Sequence, residues 1–288
     1  MKKIIALILV LALSLALVAC GSKTDVKDDT TAKNDAATTA AKDDAAVKDG
    51  ANTIYVMGPT PDHGWTAQAG AYAEAKCKEI TEAGTYKAVY MPASSGEEQV
   101  DQVNTIIANG DAVGVVMFAL DDSAQAGQEA LHAEGIPFIS FDRIIEATEK
   151  YAILNASGDN WQCGAGIAYW LQKNGMKPGD TVVTLYGDNG TVCSRREEGF
   201  RQFLKGEIEY SDEALGKSFK TTEVWDDASL DAVFNTYSVV CNWSADGAYD
   251  YMEQKLDEIV AAAKANANKL YIYSMDDEMT FGVLNYLE

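Results

Sequence analysis

The chain of 288 residues is short of histidine, of cysteine and of positive charge. It has two histidines, five cysteines, and 23 lysines and arginines against 44 aspartates and glutamates, for a formal net charge of -21. His63 and His132 are too few and too far apart for a zinc site. The deficit of positive charge argues against nucleic acid and anionic ligands as partners, because both need a basic surface. A solvated acidic surface is the alternative meaning of this charge, and it leaves neutral and cationic ligands open.

Four of the cysteines show no pattern of metal ligands. Cys77, Cys163, Cys193 and Cys241 form neither a C-x-x-C pair nor any other zinc-like spacing. We expect them to be isolated, buried thiols. A Cys193–Cys241 disulfide is the alternative, because both residues lie in the second half of the chain and export would permit oxidation.

Motifs of common enzyme sites are also missing from the sequence. The chain has no G-x-S-x-G elbow, no G-x-x-x-x-G-K-[ST] phosphate loop and no H-E-x-x-H motif. Gly164-Ala165-Gly166 is too short for a dinucleotide fingerprint. We therefore predict no catalytic residue, no cofactor and no metal, and a protein that is not an enzyme. A glycosidase that uses Asp62 and Asp142 as its carboxylate pair is the enzymatic alternative.

Residues 1–20 have the pattern of an export signal. Lys2 and Lys3 precede a nearly continuous apolar run, Ile4–Ala19. The run is too short for a membrane-spanning helix and ends in small residues, as secretory signals do. Leu17-Val18-Ala19-Cys20-Gly21 resembles a bacterial lipoprotein signal. That resemblance implies that Cys20 is lipidated, becomes the mature N-terminus and anchors the protein to a membrane. An ordinary cleaved signal with a chance cysteine is the alternative.

Residues 21–51 have the composition of a disordered tether. From Ser22 to Asp49 the chain is almost entirely Ala, Thr, Asp, Lys and Ser, with no aromatic residue. Such a segment buries too little apolar surface to offset the entropy lost on ordering. A flexible chain of this length reaches about 30 Å, so it would hold a folded body near a membrane but clear of it. We expect the outer face of a Gram-positive membrane rather than a periplasm.

Short apolar runs alternate with longer amphipathic stretches from Thr53 onward. Strands are predicted at Thr53–Met57, Tyr86–Met91, Ala112–Ala119, Pro137–Phe141, Tyr151–Asn155, Thr181–Tyr186, Ser218–Trp225 and Leu270–Ser274, and helices at Trp65–Glu82, Glu97–Ala108, Ser123–Ala133, Trp161–Asn174, Cys193–Lys205, Ala245–Ala265 and Glu278–Tyr286. Alternating elements, with strands apolar on both faces, indicate an α/β fold in which helices cover both sides of parallel sheets.

The α/β body is large for a single sheet, and a polar segment divides it. We predict an N-terminal lobe over residues 52–143, a hinge or crossover over 144–150, and a C-terminal lobe over 151–288. Ligands of open parallel sheets sit beyond the carboxyl ends of the strands. The residues that follow each strand are therefore the candidates for a site in the cleft between the lobes.

Two strand ends carry residues suited to a polyhydroxylated ligand. Asp62, His63 and Trp65 follow the first strand, and Asp142 and Arg143 follow the fourth. Indole rings stack on the apolar faces of sugars, carboxylates accept hydrogen bonds from hydroxyls, and guanidinium groups donate to them. The structural alternatives are Asp62 as an N-cap, Trp65 as a core residue, and Asp142 with Arg143 as a local ion pair.

Four segments, in this order, resemble periplasmic sugar-binding proteins of the ribose/galactose type. They are Gln99–Asp122, Gly135–Arg143, Gly187–Phe200 with its Arg196, Gly199 and Phe200, and Asp276–Gly282. The resemblance covers the chain from Thr53 to its end. It implies two Rossmann-like lobes joined by a hinge, with a monosaccharide, hexose or pentose, enclosed between them.

The resemblance also implies a set of ligand contacts. Carried over by position, they are Asp62, His63, Trp65, Asp142, Arg143, Asn189, Arg195 or Arg196, Trp243 and Asp276. Either of the two adjacent arginines could be the binding one, and the correspondence at Asn189 and Trp243 is loose. Phe118 stands where ribose-binding members carry a polar residue, which argues against ribose itself.

The resemblance further implies a monomeric solute-binding lipoprotein that delivers its sugar to the permease subunits of an ABC importer. A sensor that presents a sugar or an autoinducer to a membrane receptor is the alternative, and no nucleic acid is expected as a partner. Members of the family continue past the segment that matches Asp276–Gly282. We therefore expect a chain truncated after Glu288, with a second lobe that lacks its last strands.

Overall fold

The structure, a computed structural model, describes residues 50–60 and 64–288 of the chain. The predicted export signal, the lipidation site Cys20 and nearly all of the tether lie outside these residues. So do Asp62 and His63, two of the candidate ligand contacts. The fold and the site are accordingly built from the remaining residues.

The first lobe is a parallel sheet with its connecting helices. Its strands are β1 Thr53–Pro59, β2 Lys87–Ala93, β3 Ala112–Met117, β4 Phe138–Phe141 and β5 Leu154–Ala156. Among the described residues these five pair in the order β2-β1-β3-β4-β5, all parallel. The intervening helices are α1 Gly64–Glu82, α2 Gly96–Asn109 and α3 Gln125–Ala133, with 3-10 turns at Asp122–Ala124 and Glu149–Tyr151. Because each crossover returns the chain to the same end, all the strand carboxyl ends meet at one edge.

The second lobe repeats this plan on a smaller scale. Its elements are α4 Asn160–Lys173, β6 Thr181–Tyr186, α5 Thr191–Leu204, β7 Tyr210–Asp212, β8 Lys217–Phe219, α6 Asp227–Asn235, β9 Tyr237–Val240, α7 Ala245–Ala265, β10 Leu270–Ser274 and α8 Asp277–Leu287. The described strands pair in parallel as β10-β6-β9. Strands β7 and β8 form a separate antiparallel hairpin.

Each sheet has its own apolar core. In the first lobe Met57, Met117 and Phe138 come from the strands, and Ile106 and Leu131 come from helices α2 and α3. The core of the second lobe is aromatic at its centre, where the rings of Phe200 and Tyr273 stack at 5.2 Å and Phe234 meets Phe200 edge-on at 5.3 Å. Burial of these side chains supplies the main driving force for folding of both lobes.

Polar side chains cap the amino ends of five helices. The N-caps whose side-chain oxygens accept a backbone N–H bond are Ser95 for α2, Asp159 for α4, Asp226 for α6, Ser244 for α7 and Asp276 for α8. Each cap satisfies a donor that the first turn leaves free. Asp276 is therefore a structural N-cap as well as a candidate ligand contact.

Helices α4 and α5 approach each other through two glycines. A β-carbon at Gly164 would overlap the carbonyl of Arg196, and one at Gly199 would overlap the carbonyl of Trp161. The two backbones therefore touch directly, which only glycine permits. This contact sets the position of Arg196 relative to the amino end of α4.

The predicted α/β fold with parallel-sheet lobes is confirmed, and the differences lie in the connections. Strand β5 pairs with β4, so the first sheet extends through Ala156 instead of ending before the predicted hinge at 144–150. The strand predicted at Ser218–Trp225 is wrong beyond Phe219, because Trp225 is buried in the core without sheet pairing. Helix α6 and strand β9 were not predicted, although the cap Asp226 begins the segment.

The cysteine predictions are partly confirmed. Cys77, Cys193 and Cys241 are buried free thiols, so the alternative disulfide between Cys193 and Cys241 does not form. Burial raises the pKa of Cys193 and of Cys241 to about 11 each, so both are protonated and unreactive at neutral pH. Cys163 is exposed, contrary to the prediction.

Candidate functional site

Arg143 lies at the centre of the cleft. It follows β4 through Asp142, whose backbone is left-handed with φ of 62°. The Arg143 side chain points away from the first sheet, and its Nη2 donates to Asp188 Oδ2 of the second lobe at 2.7 Å. The residue is only 5% exposed, yet Nε and Nη1 are buried with no hydrogen-bond partner among the described residues. Buried donors of this kind require an acceptor, so Nε and Nη1 are suited to hydrogen bonding with a bound molecule.

Asp188 connects the two lobes. Its Oδ2 accepts from Arg143 and also from the indole Nε1 of Trp243 at 2.9 Å, while its Oδ1 accepts from the backbone N of Gly190 at 2.8 Å. Burial alone would raise the pKa of Asp188, but the positive charge of Arg143 and the hydrogen bonds from Trp243 and Gly190 hold that pKa below its ordinary value. Asp188 is therefore a fixed anion at neutral pH.

A second polar contact links the lobes beside Arg143. Thr191 Oγ1, at the start of α5, donates to Asp122 Oδ2 at 3.2 Å. Asp122 Oδ1 also lies 4.0 Å from Arg143 Nη1. A β-carbon at Gly64 would lie 2.9 Å from Glu278 Oε2, so the first turn of α1 approaches the first turn of α8. The two lobes therefore approach each other closely at both of these places.

Trp243 lies against the loop that carries Asp188. Asn242 and Trp243 both have left-handed backbones, with φ of 54° and 56°, directly after β9 and Cys241. This turn lays the indole across the backbone of Gly187, where a β-carbon would overlap the ring. The Arg196 guanidinium lies over the other part of the ring, 5.7 Å from its centre. The indole is thus held by packing and by its bond to Asp188.

The two adjacent arginines of α5 have different surroundings. Arg196 Nε donates to Asn160 Oδ1 at 2.9 Å, and its Nη1 donates to the carbonyl of Met275 at the end of β10. Arg195 instead stacks on Trp161 at 4.6 Å and pairs with Glu149 at 3.9 Å. Only Arg196 therefore reaches the strand-end edge of the second sheet.

Two carboxylates face the cleft with raised pKa values. Burial raises the pKa of Asp142, more strongly than the charges of Arg143 and Arg196 lower it. Burial likewise raises the pKa of Asp276, whose Oδ1 already accepts from Met279 N at 2.8 Å. No hydrogen bond to the Asp142 carboxylate is formed by any residue in 50–60 or 64–288. The two Asp142 carboxylate oxygens can therefore accept hydrogen bonds from hydroxyl groups.

The remaining predicted contacts lie at the margins. Trp65 is 57% exposed at the start of α1, so it is not a core residue. Asn189 is exposed at the tip of the loop between β6 and α5. A cavity of about 260 Å³ lies between the lobes, lined by Asp121, Asp122, Arg143, Asp188, Asn189 and Gly190.

Three features of the cleft were not among the predicted ligand contacts. The rings of Phe118 and Phe141, at the ends of β3 and β4, meet edge-on at 5.8 Å and give the first lobe an aromatic wall. Asp122 and Asp188 were not singled out as contacts. Asp188 lies in the predicted Gly187–Phe200 segment, so its place after β6 was the available signal.

The arrangement is suited to binding a small polar molecule. It combines free guanidinium donors, a free carboxylate and aromatic rings at one edge of two parallel sheets, which is the usual position for ligands of this architecture. The described residues contain no cluster of side chains that could hold a metal ion. None of their helices combines the length and the apolar character needed to cross a bilayer.

Residues 54–288 match the family model described as periplasmic binding protein domain. The chain belongs to this family. The resemblance to ribose/galactose-type proteins that the sequence motifs indicate is thereby confirmed at the level of family and fold. A search of the curated proteins found no match.

Solved structures of similar fold include solute-binding proteins of ABC transporters. One from Clostridium phytofermentans, with bound β-D-glucose, is 23% identical with a TM-score of 0.58, over 82% of this chain and 68% of that one. One from Bacillus halodurans, with bound myo-inositol, is 16% identical with a TM-score of 0.58, over 84% and 72%. The arabinose-transporter protein of Shewanella sp. ANA-3, with bound L-arabinofuranose, is 18% identical with a TM-score of 0.58, over 81% and 68%. At these identities the likeness concerns the fold.

Proposed function

We propose that this chain is an extracytoplasmic solute-binding lipoprotein that captures a monosaccharide in its cleft and delivers it to an ABC importer. The observation that carries the proposal is the buried Arg143 side chain, whose Nε and Nη1 lack partners among the described residues. Family membership and the sugars and polyol bound by proteins of similar fold support it. Closure of the lobes would supply the signal that a permease reads.

The proposed contacts divide by chemistry. Arg143 donates to ring or exocyclic hydroxyls, and Asp142 accepts from a neighbouring hydroxyl. Trp243 and Trp65 provide aromatic surface for the apolar face of the sugar. Asn189, Arg196, Asp276 and the predicted pair Asp62 and His63 complete the proposed set, with Arg195 assigned to packing because of its contacts with Trp161 and Glu149.

A thermal-shift panel on the purified chain tests sugar binding. We propose D-glucose, D-galactose, D-allose, L-arabinose and myo-inositol as ligands. Saturation at about 100 times the dissociation constant adds ~2.7 kcal/mol of stability, which corresponds to a rise in Tm of about 5–10 °C for a chain of this size. The proposal fails if no neutral monosaccharide or polyol raises the Tm.

A pair of arginine variants tests the position of the site. Arg143→Gln should abolish the shift, because it removes the buried donors. Arg201→Gln is the matched control, since Arg201 is also ion-paired, to Glu197 and Asp231, but lies outside the cleft. An unchanged sugar response in Arg143→Gln would contradict the assignment.

The anchor and the transport role have their own tests. Cys20→Ser should abolish incorporation of labelled fatty acid and release the protein from membranes, and retention of the variant would contradict lipidation. Deletion of the gene should reduce uptake of the identified sugar. Normal uptake with an altered transcriptional response would instead favour the sensor alternative.

A further inference from the structure

The contacts of Asp188 restrict how Arg143 can bind a ligand. A guanidinium group can grip a carboxylate through two donor pairs, the end-on pair Nη1 and Nη2 or the side-on pair Nε and Nη2. Nη2 carries two N–H groups, one for each pair, and in this structure it donates to Asp188 Oδ2 at 2.7 Å. The donors without partners are Nε and Nη1. The Asp188 carboxylate also offsets the positive charge of the guanidinium, which makes the remaining donors better suited to hydroxyl oxygens than to an anion.

The loop that carries Asp188 is held in position by contacts on both of its sides. On one side the Trp243 ring lies on Gly187, and on the other a β-carbon at Gly190 would lie 2.5 Å from Arg143 Nη1. The Gly190 backbone N and the Trp243 indole both donate to the Asp188 carboxylate. Asp188 therefore cannot swing aside without losing three hydrogen bonds at once.

The surroundings of Arg143 are also unfavourable to an anion. Asp121, Asp122 and Asp188 line the same cavity as Arg143, and Asp122 Oδ1 lies 4.0 Å from its Nη1. A ligand carboxylate in this cavity would approach several like charges.

We propose that Asp188 is a positioning residue that presents Arg143 to neutral sugars and excludes sugar acids from the cleft. The inference rests on the proposed function, and it assigns the ligand class as uncharged monosaccharides or polyols. Asp188 acts through Arg143 and Trp243, by orienting both and by offsetting the positive charge that would attract an anion.

The experiment compares neutral and anionic ligands on wild type and Asp188→Asn by calorimetry. The probes are D-glucose with D-glucuronate and D-galactose with D-galacturonate, together with whichever neutral panel ligand stabilises wild type most. Wild type should bind the neutral ligand and discriminate against the uronates. In Asp188→Asn the ratio of the uronate to the neutral dissociation constant should fall about tenfold or more, because Nη2 is no longer neutralised. Asp188→Glu should restore part of the discrimination.

Asp231→Asn is the matched control, since Asp231 also pairs with an arginine of the second lobe, Arg201, at 2.8 Å, outside the cleft. It should leave the ratio unchanged. A purely structural role for Asp188 would weaken both ligands equally and lower the Tm of the free protein, and that result would overturn the proposal. So would a ratio in Asp188→Asn within about twofold of wild type.

A measurement on wild type does not depend on folding of any variant. Because charge repulsion is screened by salt, the discrimination against uronates should narrow as ionic strength rises. Uronates bound as tightly as neutral sugars at low salt would overturn the inference while leaving sugar binding intact. Wild type that responds to no ligand at all would instead refute the proposed function, and the inference with it.

Discussion

Gly187→Ala is expected to displace Trp243 from its place beside Asp188. The indole lies directly on the Gly187 backbone, so a methyl group there would occupy the same space as the ring. The Gly187 backbone cannot retreat easily, because it joins the buried strand β6 to the loop that holds Asp188. The half-buried ring of Trp243 can move instead, at the cost of its hydrogen bond to Asp188.

Two losses set the size of this effect. A hydrogen bond to a charged group contributes ~1.5–3 kcal/mol, and an aromatic contact of this kind contributes ~0.5–1.5 kcal/mol. Part of the first loss falls on the free protein, so we expect sugar affinity to fall by about 1.5–3 kcal/mol, or roughly 10- to 150-fold. Overpacking of the free protein costs about 1–3 kcal/mol, which lowers its Tm by roughly 2–12 °C.

Titration calorimetry with the best panel sugar, together with thermal unfolding without sugar, measures both effects. Gly158→Ala is the matched control, because a β-carbon there meets no atom within 4 Å and its backbone is not left-handed. That variant should bind as wild type does. If Gly187→Ala keeps its sugar affinity within about threefold of wild type, Trp243 in its observed position does not contribute to binding, and the reasoning is refuted.

Three further predictions concern the framework of the site. Gly199→Ala should lower the Tm by roughly 2–12 °C, for ~1–3 kcal/mol of overpacking, because the new methyl meets the carbonyl of Trp161; a Tm equal to that of Gly158→Ala would contradict this. Asp142→Asn should raise the Tm at pH 7, because burial raises the Asp142 pKa and makes its charged form unfavourable in the folded state. That advantage should disappear as the pH falls below about 4, where the unfolded carboxyl is protonated as well; a lower Tm at pH 7 would refute it. Phe200→Ala removes a fully buried ring and should cost about 3–5 kcal/mol in urea unfolding, and a loss under ~1 kcal/mol would contradict its place in the core.

Local patterns were most informative where each element has its own boundary signals. The bounds of β6, β10 and α7 agree with prediction, since each is an apolar or amphipathic run with polar residues at its ends. Strand β5 was assigned to the wrong lobe because its pairing with β4 is a long-range contact that leaves no trace in its own few residues. The antiparallel hairpin of β7 and β8 is a local pairing, and it was missed because each strand has only three, mostly polar residues.

The candidate site shows the same contrast between residues with a local sequence signal and residues whose role depends on long-range contacts. Asp142 and Arg143 were found because a charged pair directly after a buried strand is conspicuous in sequence. Asp188 was missed because an aspartate that follows a glycine in a loop is common and carries no local signal of its own. Its role depends on the hydrogen bond that it accepts from Arg143, which lies 45 residues earlier in the chain and across the cleft.

The sequence by itself determined the α/β class, the acidic body and the sheet edge at which the candidate site residues are expected, since strand periodicity and net charge are local or additive properties. The tertiary structure alone decided that Arg196 and not Arg195 reaches the strand ends, because that depends on the rotation of α5 as it packs against α4 through Gly199. It also decided which donors of Arg143 stay free. A hydrogen-bond partner from the other lobe is set by how two sheets meet, and no single segment encodes that.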